Sequence, residues 1–125
     1  MPTIQEGPQG VRERFAFEAA LAELAGDLDC LRDIAGMYEQ ELAARQRALR
    51  DAASDGPRLI PLLHEVANTL AVVVAPVDAG RVRALERRLR DGAAVAEVGL
   101  DVASVCAAMQ QVHEALQQWL RGRPS

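Results

Sequence analysis

The chain has 125 residues, half of them hydrophobic and about a quarter charged, enough for one domain with a single modest core. Its 14 basic and 18 acidic residues leave a net charge of −4, and Phe15, Phe17, Tyr38 and Trp119 are the whole aromatic complement. That balance argues against a nucleic-acid partner, which needs a basic face and rings on which bases can stack.

Residues 1–10, MPTIQEGPQG, carry neither a basic nor an apolar run, so they read as a flexible tail and not as a signal peptide. No stretch is apolar for long enough to span a bilayer, so the chain is expected to be cytoplasmic and free of membrane contact. Residues 11–121 read as a single helical bundle, and residues 122–125 as a frayed end. All basic residues are arginine, which in a chain rich in Ala, Leu and Val looks like genome composition.

The first helix is expected over VRERFAFEAALAELAG, with Phe17, Ala20, Leu21 and Leu24 at helical spacing and Gly26 as its C′ residue. Asp27 or Asp29 then caps a long second helix whose apolar stripe is Leu31, Ile34, Ala35, Tyr38, Leu42 and Leu49. SDGP at 54–57 marks a turn. The third helix carries LIPLLHEVANTLAVVV; because proline fits only a first turn, its regular part is expected to begin near residues 58–61. APVD at 75–78 breaks the run, with Asp78 placed to cap a fourth helix, AGRVRALERRLRD. There Val82, Leu85 and Leu89 turn inward, and the arginines point outward as a face most simply read as solvated. After DGAA, the last helix holds the longest stripe: Val102, Val105, Cys106, Met109, Val112, Leu116, Trp119 and Leu120. Short connections make neighbours antiparallel. The expected fold is all-α: an antiparallel up-down-up-down four-helix bundle with a short additional N-terminal helix.

Candidate chemistry is sparse. Cys30 and Cys106 are far apart, each within a helical pattern, and read as reduced core residues. No CxxC, HExxH or other ligand spacing occurs, so neither a metal nor a cofactor is expected. His113 flanks the last stripe and reads as a packing residue, and Trp119 as a core anchor. His64 stands apart. At ~100° per residue, Leu59, Leu63, Val66, Leu70 and Val74 cluster about 120° from it, while Arg58, Glu65, Asn68 and Thr69 mark the wet side. His64 is thus expected at the boundary, tilted to solvent, with Ile60, Ala67, Asn68 and Ala71 around it.

From about Phe17 to Leu120 the chain resembles the histidine-containing phosphotransfer (HPt) domains of bacterial phosphorelays. FEAALAELAGDLDCLRDIAGMYEQEL is similar to the family's opening, a short helix ending in Gly-Asp followed by a long helix with an aromatic residue. The segment from Arg47 to Gly92 is similar to the part in which one helix carries the phosphorylated histidine and a later helix holds a Leu-Glu pattern, here Leu85-Glu86. The resemblance implies that His64 accepts a phosphoryl group from the aspartate of a receiver domain and passes it on. The partners would be a response-regulator receiver, a hybrid sensor histidine kinase, or both. It implies a carrier without catalytic machinery of its own, and a docking surface of Ile60, Glu65, Ala67, Asn68 and Ala71. The family motif His-x-x-Lys-Gly is incomplete: Ala67 stands in place of the lysine and Asn68 in place of the glycine. Those two departures support an alternative, an HPt-like adaptor that binds a receiver or kinase without relaying phosphate.

Overall fold

The structure is a computed structural model describing residues 14–73 and 75–122, apart from the side chains of residues 99–101. The expected tail at 1–10, helical residues 11–13, Val74 and the last three residues lie outside the described residues. Five helices follow in order: α1 (Phe17–Glu23), α2 (Leu28–Asp51), α3 (Gly56–Val72), α4 (Pro76–Arg90) and α5 (Val95–Arg121). The described residues contain no strand, and none of their helices is long and apolar enough to cross a membrane.

Local chemistry sets the boundaries. The helical pattern of the sequence runs through Phe15 and Ala16, yet the backbone leaves helical geometry there and α1 starts at Phe17. The departure lets Arg14 reach Asp78 at 3.0 Å and lie over the Phe15 ring. At the other end of α1, the amide of Gly26 donates to the Leu21 carbonyl and that of Ala25 to Ala22. This six-to-one closure makes Ala25 the left-handed C′ residue, with φ 56°, and moves Gly26 one place beyond the cap expected for it. Gly92 takes the same role after α4 without a Cβ penalty.

The Oδ1 of Asp27 accepts from the Cys30 amide and begins α2. Asp55 does the same for Arg58, so α3 begins at Gly56, two residues before the earliest start expected, with Pro57 in its first turn. Pro61 therefore sits inside the helix. It is tolerated because Pro57, whose carbonyl loses its partner, is exposed to water. Asp78 does not cap α4: the cap position is Ala75, Pro76 opens the helix, and Asp78 is buried against Arg14. One carboxylate oxygen, Oδ1, has no hydrogen-bond partner among the described residues.

The apolar stripes meet in one core. Leu31, Leu49, Leu59, Leu63, Leu70, Met109 and Leu116 are its largest fully buried side chains. Each long helix packs against two others, α2 with α3 and α5, and α4 with α3 and α5, so the four close a ring. Tyr38 Oη donates to the Met109 carbonyl at 2.8 Å, and Gln46 Nε2 to the Cys106 carbonyl at 3.0 Å, fixing α2 against α5. Phe17 packs against Trp119, with ring centroids 5.9 Å apart, and ties α1 to the end of α5. The most extensive packing is between α3 and α4, the two helices that build the site below.

Candidate functional site

Helix α3 buries Leu59, Leu63, Val66, Ala67 and Leu70, and exposes Pro57, Arg58, Pro61, His64, Glu65, Asn68, Ala71 and Val72. His64 lies midway along the exposed stripe, its side chain 61% accessible. It is not loose. Its Nδ1 is 3.5 Å from Oε1 of Glu86 on α4.

Glu86 is itself nearly buried, with its side chain 11% accessible. It projects from the inward side of α4, among Val82, Leu85 and Leu89. Its second oxygen, Oε2, accepts from Arg90 Nε at 3.0 Å and Nη2 at 2.8 Å, one helical turn away. Burial on its own pushes the Glu86 carboxyl up. The hydrogen bond and charge of Arg90, with those of His64, outweigh it and hold the carboxyl below its ordinary value. A carboxylate anchored on one side by a guanidinium thus presents its other oxygen to the imidazole. An Nδ1–H facing that oxygen places the lone pair of the neutral ring on Nε2.

The other residues anticipated around His64 are placed unevenly. Glu65, Asn68 and Ala71 are exposed, and Ile60 is half-buried. Ala67 is 1% exposed and cannot offer a contact to a partner. Its offset of roughly 60° from His64 is measured toward the core, where the helix turns under α4. Glu65 is ion-paired with Arg45 of α2 at 3.3 Å, and Arg45 also holds Glu41 at 2.8 Å. Besides a protonated His64, the exposed stripe of α3 carries two formal charges, the paired carboxylate of Glu65 and the guanidinium of Arg58 near the start of the helix.

The cation joined to the His64 partner is Arg90, and its significance is absent from the sequence pattern considered alone. Arg88 pairs with Glu97 of α5 at 3.8 Å, on the far side of α4. A cavity of about 420 Å³ between α4 and α5, lined by residues including Asp78, Arg81, Leu85, Arg88 and Val105, does not include His64. A signal for Glu86 did exist. It is a carboxylate at an inward position of an amphipathic helix, and such a group requires a partner.

The remaining candidates are structural. His113 is half-buried, its ring stacked on Tyr38 with centroids 6.3 Å apart. Burial, reinforced by the Asp78 charge, drives the Tyr38 hydroxyl far above its usual range despite Arg45, so it stays protonated and donates to the Met109 carbonyl. Cys30 and Cys106 are free thiols, and burial pushes that of Cys106 up, against a smaller opposing effect of Arg50. Among the described residues no group of three His, Cys, Asp or Glu side chains could hold a metal ion. Compared with protein-family models, curated proteins and solved structures, the chain matches none.

Proposed function

We propose that this chain is a histidine phosphotransfer protein of the HPt type, its four long helices forming an antiparallel up-down-up-down bundle that displays His64. The short connections at residues 52–55, 73–75 and 91–94 support that topology. The observation that carries the function is the exposed imidazole whose Nδ1 is held by a buried, arginine-anchored carboxylate.

In this reading the Nε2 lone pair attacks the phosphorus of an aspartyl phosphate on a receiver domain. A P–N bond forms, the P–O bond to the aspartate breaks, and the electron pair leaves on the receiver's carboxylate. The ring gains positive charge as the bond forms, and Glu86 lies where it stabilises that charge while keeping the Nδ1 proton. The reverse transfer uses the same groups. Nothing more is required of a carrier, because the receiver supplies the acidic residues and the metal.

A second reading, an adaptor that docks on a receiver or kinase without relaying phosphate, is favoured by one observation. Ala67 is buried and Asn68 exposed, so α3 offers no cation beside His64. Incubating the protein with receiver domains phosphorylated on aspartate separates the two readings. A phosphotransfer protein acquires an acid-labile phosphoryl group that is lost in His64→Gln. An adaptor binds receiver or kinase domains but acquires no label.

A further inference from the structure

The exposed face of α4 is dominated by arginine. Five of the 14 basic residues, Arg81, Arg83, Arg87, Arg88 and Arg90, fall on this one helix. Both of its acidic residues are turned inward and held: Asp78 by Arg14, and Glu86 by Arg90 and His64. A chain with net charge −4 thus carries a helix face of the opposite sign.

The arginines fall into two rows at ~100° per residue. Arg81 and Arg88 line the cavity against α5, and Arg88 meets Glu97 there. Arg83, Arg87 and Arg90, spaced i, i+4 and i+7, form the other row, on the edge nearest Glu86 and so toward His64. Among the described residues, Arg83 and Arg87 are exposed and have no ion pair. The charge supplied to their surroundings is therefore uncompensated.

We propose that Arg83 and Arg87, with Arg90 at the end of their row, form the docking surface for the acidic face of the receiver domain that exchanges phosphate with His64. The inference rests on the phosphotransfer reading and adds the surface that selects the partner. Charge complementarity carries it. An aspartyl phosphate is an anionic centre among carboxylates, and a protein of net charge −4 repels it at long range. The exposed stripe of α3 cannot by itself reverse that field: next to His64 it holds the Glu65 carboxylate and a buried Ala67, and its exposed cation, Arg58, lies six residues before the histidine. The Arg83–Arg87 row can, and it flanks the nucleophile. Such surfaces act mainly on the rate of encounter and on the choice of partner.

The test labels the protein at His64 with phosphoramidate and follows transfer to purified receiver domains, with rates taken per labelled molecule. Arg83→Glu with Arg87→Glu is expected to lower the second-order rate about tenfold or more at low salt. That deficit narrows as salt rises to about 0.5 M, where the Debye length is only a few ångströms. Arg83→Gln with Arg87→Gln falls between, and Arg47→Glu, a single reversal at an exposed site on α2, lowers the rate far less than half as much. Native rates in the double reversal, a loss equal in Arg47→Glu, or a deficit that ignores salt overturns the docking surface and leaves His64 as carrier. Failure of the native protein to take up label overturns the phosphotransfer reading and this inference together.

Discussion

Replacing Glu86 by glutamine removes one charge from the point where α3, α4 and the histidine meet. In the native protein Oε2 accepts two bonds from Arg90, at 2.8 and 3.0 Å, and Oε1 faces His64 Nδ1 at 3.5 Å. Hydrogen bonds to charged groups contribute roughly 1.5–3 kcal/mol each when sheltered. Here Glu86 is sheltered but Arg90 is 57% and His64 61% accessible, so solvent screens both partners. The net loss expected in Glu86→Gln is about 1–2 kcal/mol, or about 4–8 °C in melting temperature for a domain of this size. The pH dependence has a definite sign. The folded carboxyl lies below its ordinary value, so its contribution is complete above the unfolded carboxyl's range and is lost as pH falls through the folded value. Urea unfolding of both proteins from pH 7 down to about pH 3 should therefore show a deficit that shrinks with acidification. A variant as stable as the native protein at pH 7, or a deficit unchanged by acid, refutes the reasoning.

Restoring the family lysine by Ala67→Lys should destabilise the protein, because position 67 is 1% exposed and the longer side chain overpacks the core by about 1–3 kcal/mol in urea unfolding. Ala25→Gly should stabilise it by about 0.5–1 kcal/mol, since φ 56° is a left-handed conformation that glycine adopts without a Cβ clash; differential scanning calorimetry reads the gain. Asp55→Ala removes the side-chain acceptor for the Arg58 amide and should cost about 1 kcal/mol, measured by the same urea titration. Tyr38→Phe should cost a similar amount, about 1 kcal/mol, by deleting the hydroxyl donated to the Met109 carbonyl, with retention of the native helical circular dichroism.

Much of the fold was legible because apolar residues recur at helical spacing and polar breaks separate them. Leu31, Ala35, Tyr38, Leu42 and Leu49 point inward as their spacing demands, as do Val102, Val105, Met109, Val112 and Leu116. The misplaced details have two causes: one local preference was overridden by a contact from afar, and another by a competing local cap. Asp78 suits a cap, but Arg14, 64 residues earlier, draws it into a buried pair while Pro76 starts the helix. Pro61 argues for a late start to α3, yet capping by Asp55 begins it earlier.

The site divides along the same line. Rotation about one helix turns His64 away from the Leu63–Leu70 face, and the exposed ring is consistent with it. The same arithmetic does not say which helix lies beside the ring, so neither the Glu86 contact nor its arginine anchor follows from periodicity. Ala67 shows the limit within a single helix. Its angular distance from His64 is modest, yet the offset runs toward the core and leaves it 1% exposed.

The most direct measurement is phosphorus NMR of the protein after treatment with phosphoramidate, run on native protein, His64→Gln and His113→Gln. The account predicts one acid-labile, nitrogen-linked phosphoryl group per chain, carried on Nε2, absent from His64→Gln and retained in His113→Gln. A native protein without that resonance, or a resonance that survives in His64→Gln, contradicts it.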